Sequence, residues 1–178
     1  MAEAEVGDDV FGKDPSVRDL ERSTAELLGK EAALFVPSGT MGNELAVRMH
    51  TTSGDEIVVE DGAHVLNHEA GAPAALSGVT CHLVQGRRGI FTAADLLAIL
   101  RPPDVHHCPT KLVCIENTHN ERSGSVSPLV TLAELSAAAR GGGLAVHMDG
   151  ARLWNAAAAS GVSEAQYAAH CDTISVCY

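Results

Sequence analysis

A mainly parallel α/β sheet covered by helices on both faces is the fold this sequence predicts. Short apolar runs alternate with helix-length amphipathic stretches along the chain, which is the rhythm of strand–helix–strand units. The runs are apolar throughout rather than at every second residue, as strands covered on both faces must be. Hydrophobic residues make up 46% of the 178 residues and aromatics only 3%. The core is therefore built from Ala, Val, Leu and Ile, which suits helices packed on a sheet better than a β-sandwich.

The first helix opens at Asp14-Pro15, with Asp as N-cap and Pro in the first turn, and runs to Leu28 before Gly29. Residues 32–36 read as a short buried strand, and Pro37-Ser38-Gly39-Thr40 as a turn into a helix over 41–50. Residues 56–60 form the next strand and 65–76 the next helix. A strand over 79–84 precedes a helix over 92–100, capped by Thr92 with Asp95 in its first turn. A strand over 111–116 and a helix over 129–140, ended by Gly141-Gly142-Gly143, come next. A strand over 144–149, a helix over 152–160 and a strand over 173–176 complete the pattern. Residues 101–110 form an irregular loop. No internal repeat or linker interrupts the chain, so residues 1–178 read as one domain.

The formal charge is −11, from 23 acidic and 12 basic side chains, which argues against nucleic acid or an anionic membrane as partner. No stretch approaches a membrane span, and the acidic N-terminus M-A-E-A-E-V-G-D-D is unlike a signal peptide. Five cysteines without C-x-x-C spacing read as reduced thiols of a cytoplasmic protein, with a mitochondrial one left open.

The chemistry concentrates where strands give way to helices. In L-A-V-H-M-D-G-A-R an apolar strand ends at Asp149 and turns through Gly150 and Ala151 into Arg152. A carboxylate there can hold a heterocycle nitrogen protonated, with the guanidinium beside it pairing a carboxylate or phosphate. The alternative is a helix cap with a surface arginine. Gly39 and Thr40 open a helix after a strand, so their backbone N–H groups and the Thr40 hydroxyl suit a phosphate, or serve only as an ordinary cap.

His64 and His68 share a helical face, but H-V-L-N-H-E is not H-E-x-x-H, and no metal is expected. His64 follows Gly62-Ala63 at a strand-to-helix junction. His106 in the 101–110 loop suits a substrate contact or proton carrier better than a zinc ligand beside His107 and Cys108. Glu116-Asn117-Thr118-His119 ends a strand and either lines a site or forms a turn.

These motifs stand in one order. G-D-D-V-F-G-K-D-P (7–15), K-E-A-A-L-F-V-P-S-G-T-M-G-N (30–43), H-V-L-N-H-E-A-G (64–71), P-D-V-H (103–106), K-L-V-C-I-E-N-T-H-N (111–120) and H-M-D-G-A-R-L-W-N-A (147–156) together resemble the threonine aldolase family. Its members are pyridoxal-phosphate enzymes of the aspartate-aminotransferase-like fold, fold type I, in the beta-eliminating lyase superfamily. The resemblance implies that residues 1–178 are the large cofactor domain. It implies a phosphate-binding turn at Gly39 and Thr40 and a histidine stacked on the pyridine ring at His64. It further implies a second histidine near the substrate hydroxyl at His106, the pyridine-nitrogen partner at Asp149 and the substrate-carboxylate arginine at Arg152. The implied activity is cleavage of threonine or allo-threonine to glycine and acetaldehyde in a homo-oligomer, dimer or tetramer.

Against the family pattern, Phe11 stands where many members have tyrosine. The only lysines are Lys13, Lys30 and Lys111, and the family's cofactor-bearing lysine follows a C-Y pair like Cys177-Tyr178. The chain therefore reads as a domain truncated at both ends, without the small C-terminal domain and inactive alone. The rival expectations are an inert fragment and a β-eliminating lyase.

Overall fold

The computed structural model describes residues 3–178. Its centre is five strands, β1 (Glu56–Glu60), β2 (Thr80–Val84), β3 (Thr110–Glu116), β4 (Ala145–Gly150) and β5 (Thr173–Val176), in the order β2-β1-β3-β4-β5. Every neighbouring pair is parallel. The helices are α1 (Pro15–Leu28), α2 (Gly39–His50), α3 (His64–Asn67), α4 (Ala93–Ile99), α5 (Leu129–Gly141), α6 (Leu153–Ser160) and α7 (Glu164–Ala168). The predicted parallel α/β fold is the one observed.

The unbroken apolar strands follow from burial on both faces. Successive strand side chains point to opposite sides, so Ile57 and Val59 of β1 pack with Leu112 and Cys114 of β3 and Val47 of α2. Val58, Val113 and Ile115 face the other way, against Leu96 of α4, Leu132 and Leu135 of α5, and Tyr167 of α7. Each such side chain contributes about 1.5–3 kcal/mol by leaving water. Along β4 and β5 the first face turns polar: His147, Asp149, Thr173 and Ser175 alternate with Met148 and Ile174 and lie beneath α2.

The caps read from sequence are present. The Asp14 side chain accepts from Val17 N at 3.0 Å, Gly29 closes α1 in the left-handed region at φ 63°, and Thr92 and Asp95 form a capping box. Lys30, just beyond α1, donates through Nζ to the carbonyls of Ala168 and Cys171 at 2.7 and 2.5 Å, fastening it to the end of α7.

Two segments depart from expectation. Residues 32–36 form no strand and lie outside the sheet, with Leu34 and Phe35 exposed. No strand flanks them, and Phe35 N donates instead to Glu21 Oε1 at 2.8 Å. The helix expected over 65–76 breaks after Asn67, because Ala70 and Gly71 take positive φ (54° and 74°), and a single π-helical turn, Pro73–Ser77, follows. Helix α7 went unread, although Ser163 and Gln166 form a capping box that its sequence signals.

His106 stands apart from the other candidate residues within this chain. It lies in an exposed turn before β3, its N–H bonded to Asp104 Oδ1 at 2.8 Å. The seven residues of β3 at about 3.3 Å each put roughly 20 Å between that turn and the carboxyl edge of the sheet. A loop that feeds the start of a strand lies at the opposite edge from a site at that strand's end in the same chain.

Candidate functional site

In an open parallel sheet, ligands bind at the carboxyl ends of the strands, where the strand order reverses. Here that reversal falls between β1 and β3. His64, Asp149 and Arg152 sit at strand ends or at the helix starts that follow them, and Gly39 and Thr40 open α2, which packs over β4 and β5.

Asp149 is the last residue but one of β4, opposite Glu116 of β3 and Ser175 of β5, and is buried. Its Oδ1 accepts from Ala151 N at 3.1 Å and its Oδ2 from Asn43 Nδ2 at 2.9 Å. Gly150 follows because nothing larger fits: a Cβ there would meet Ser175 O at 2.7 Å. The chain then turns directly into α6 with Arg152, whose guanidinium is exposed and makes no ion pair among the described residues.

Asn43, in the first turns of α2, uses all four of its hydrogen-bonding positions. Its amide donates to Asp149 Oδ2 and, at 2.7 Å, to Glu69 Oε1. Its Oδ1 accepts from Ser175 Oγ at 2.6 Å and from His147 Nε2 at 3.1 Å. Since His147 Nε2–H must donate, the neutral ring accepts at Nδ1 from the Thr173 hydroxyl, 3.0 Å away, and Thr173 accepts in turn from His50 Nε2–H at 3.0 Å. Burial, only partly opposed by the Asp149 charge, pushes His147 down to about 4, so it stays neutral near pH 7. A one-directional relay therefore runs from His50 through Thr173, His147 and Asn43 to two carboxylates.

Glu69 closes the cluster. Its Oε1 also lies 2.9 Å from His64 Nδ1, and ligand atoms of His64, Glu69 and Asp149 all fall within 4.8 Å of one another. His64 keeps 31% of its side chain exposed while Glu69 is fully covered, so the imidazole presents a face to the cleft above a buried acid. Over the end of β5, the first turn of α2 begins at Gly39 and Thr40, with Ser38 Oγ accepting from Met41 N at 3.2 Å. A Cβ on Gly39 would stand 3.1 Å from Cys177 Sγ. Burial raises the thiols of Cys81, Cys114 and Cys177 above the ordinary range, which argues against a thiolate nucleophile.

A second polar group stands at the ends of β1 and β3. His119, almost wholly buried, has Nε2 2.9 Å from Glu60 Oε2. Glu116 accepts from the backbone N–H of His64 at 2.9 Å and of Asn120 at 2.8 Å. His119 thus shares the carboxyl edge that His106 does not reach. Position relative to the strand distinguishes them, since one follows β3 and the other precedes it.

The sequence reading missed Asn43, Glu44, Glu69 and His147. The signal for the first two was their place on the stripe of α2 that also carries buried Ala46 and Val47, where polar residues need partners. Of the lysines, Lys30 bonds α7, and Lys13 and Lys111 are exposed.

The family model for beta-eliminating lyases matches residues 1–178. The chain is 39% identical over 178 residues to the low specificity L-threonine aldolase of Escherichia coli, covering 99% of this chain and 53% of that one. It is 40% identical over 179 residues to the low specificity L-threonine aldolase of Saccharomyces cerevisiae, covering 98% and 46% respectively. The structure of Leishmania major threonine aldolase matches with a TM-score of 0.83 at 27% identity, over 92% of this chain and 48% of that one. The chain spans about half the length of the curated relatives it matches.

Proposed function

This chain belongs to the beta-eliminating lyase family, and from that premise we propose that it is the cofactor domain of a pyridoxal-phosphate-dependent threonine aldolase. Its reaction is cleavage of threonine and allo-threonine to glycine and acetaldehyde. The observation that carries the reading is Asp149, a buried carboxylate at the end of β4, aimed by Asn43 and clustered with His64 and Glu69.

The residues present fit the cofactor. Each Asp149 oxygen keeps a lone pair beyond its bond to Asn43 or Ala151, so the carboxylate can hold a proton on a ring nitrogen. The free backbone N–H groups at Gly39 and Thr40, at the start of the 12-residue α2, suit a phosphate. His64 offers a partly exposed imidazole to an aromatic ring. When bound, pyridoxal phosphate supplies an electron sink for the pair left at Cα as the Cα–Cβ bond breaks.

The chain's own residues do the rest. Arg152 pairs the substrate carboxylate through its planar fork and fixes which bond faces the cofactor. His64, with Nδ1–H toward Glu69, keeps Nε2 to take the proton of the substrate hydroxyl. His106, at the amino edge of its own sheet, would contact the substrate hydroxyl only from a neighbouring copy, and His119 at the carboxyl edge is buried against Glu60. The five free thiols support a reducing, cytoplasmic setting. No helix among the described residues is long and apolar enough to cross a membrane. Exposed Leu34, Phe35 and Met41 support a homo-oligomer, dimer or tetramer.

The test uses the full-length protein with pyridoxal phosphate and threonine, measuring glycine and acetaldehyde together. Stoichiometric appearance of both supports the reading. Pyruvate from serine or cysteine, with no acetaldehyde from threonine, would replace it with the β-eliminating reaction in the family's name.

A further inference from the structure

Glu44 follows Asn43 on α2 and is 6% exposed, yet neither of its carboxylate oxygens has a hydrogen-bond donor. Glu69, 3% exposed, accepts from Asn43 and His64 through Oε1 alone, and its Oε2 is also without a donor. Glu44 adjoins Asn43, whose amide binds Glu69, and the Glu69 carboxyl is the neighbouring group that, with burial, raises Glu44. Glu44 in turn helps to raise two thiols that face it from the sheet, Cys81 on β2 and Cys114 on β3. On β4, His147 and Asp149 are tied through Asn43 to Glu69. Among the described residues His64 alone forms an ion pair with Glu69, and none does so with Glu44. Two buried carboxyl groups with three of their four oxygens lacking a donor do not both ionise.

We propose that Glu44 and Glu69 hold one proton between them and act as the positioning pair for His64. Glu69 is the carboxylate, because two N–H donors favour its anion, and Glu44 is the acid, donating O–H to the bare Oε2 of Glu69. The other oxygen of Glu69 then fixes His64 with Nδ1–H inward and Nε2 bare. Burial first, and the contact with Glu69 second, raise the Glu44 carboxyl to about 7. Near neutrality its proton leaves to solvent, and the wall beneath His64 becomes doubly negative. The orientation of His64 rests on the aldolase reading, whereas the shared proton is measured without substrate.

In the full-length wild-type protein carrying 13C at the glutamate carboxyls, one resonance should titrate near pH 7 and be missing from Glu44→Gln. The pH profile of kcat/KM for threonine should bend at the same pH. Glu44→Gln, whose amide N–H replaces the acid O–H, should flatten that bend and keep kcat on its acid side. Glu44→Leu, which cannot donate, should lose kcat at every pH. If no wild-type glutamate carboxyl titrates near neutrality, the shared proton is refuted whatever the activity. If one does, but Glu44→Gln leaves the bend in place, the positioning role is refuted. A protein that shows the resonance without cleaving threonine sinks the proposed reaction and upholds the shared proton.

Discussion

Replacing Asp149 with Ala separates stability from activity, and the structure says by how much. The carboxylate accepts two N–H bonds, from Asn43 at 2.9 Å and Ala151 at 3.1 Å. Hydrogen bonds to a charged group contribute about 1.5–3 kcal/mol each, so removing both costs roughly 3–6 kcal/mol. Glu69 stands in the same cluster, its ligand atom no more than 4.8 Å from that of Asp149. Two negative charges at that distance repel by about 3.5 kcal/mol at an effective dielectric of about 20, and Asp149→Ala relieves this. The terms largely offset, leaving a net loss of roughly 0–3 kcal/mol. Turnover should instead fall by about 10²–10³-fold, the scale for losing one preorganised electrostatic group. Urea unfolding of the full-length protein without cofactor gives the first quantity, and acetaldehyde release from threonine gives the second. Wild-type turnover would refute the role given to Asp149, and a stability loss well beyond 3 kcal/mol would refute the offsetting repulsion.

Other perturbations follow from the same geometry. Gly150→Ala drives a Cβ to 2.7 Å from Ser175 O, a backbone atom that cannot swing away. It should destabilise by about 1–3 kcal/mol in urea unfolding, and an unchanged midpoint would mean that β4 and β5 lie farther apart. His106→Ala, on the exposed turn before β3, should leave kcat/KM within about twofold of wild type where each site draws on its own chain alone, since roughly 20 Å separate it from the carboxyl edge. A loss comparable to that of Asp149→Ala would place it in the site of a neighbouring copy. His147 is held neutral with its folded value down at about 4 from 6.5, so acid favours the unfolded chain, which takes the proton more readily. Its contribution is full above pH 6.5 and is lost as pH falls toward 4, an effect of about 3 kcal/mol. Glu44, raised from 4.5 to about 7, runs the other way, losing its contribution as pH rises through that window. The measurement is therefore the difference in unfolding free energy between wild type and His147→Gln across pH 4 to 6.5. A pH-independent difference would show that His147 is not buried as a neutral ring.

Local pattern made most of the fold legible. Strands buried on both faces have to be apolar throughout, and α1 and α4 announce their ends through Asp14, Gly29, Thr92 and Asp95. Residues 32–36 have strand composition, but a strand also needs a neighbour, and pairing is not written in five residues. Asp149 and Arg152 were readable because they follow an apolar run directly. Asn43 was not, because its meaning lies in a bond to a residue 106 positions away. Glu69 sits beyond a helix that stops sooner than its composition suggests. His106 and His119 each stand in a polar segment, and only the boundaries of β3 tell them apart.

The relay from His50 to Asp149 has a consequence for how this sequence can change. Each member donates forward and accepts from behind, so the series has a polarity, and no single residue can reverse its own sense without opposing its neighbours. A change at His50, at the far end of α2, is felt at Asp149 through three intervening side chains. Substitutions at positions 43, 50, 147 and 173 are therefore tolerated as sets rather than one at a time. Grafting α2 alone onto a homologous sheet brings in half of a sentence whose grammar is completed by β4 and β5.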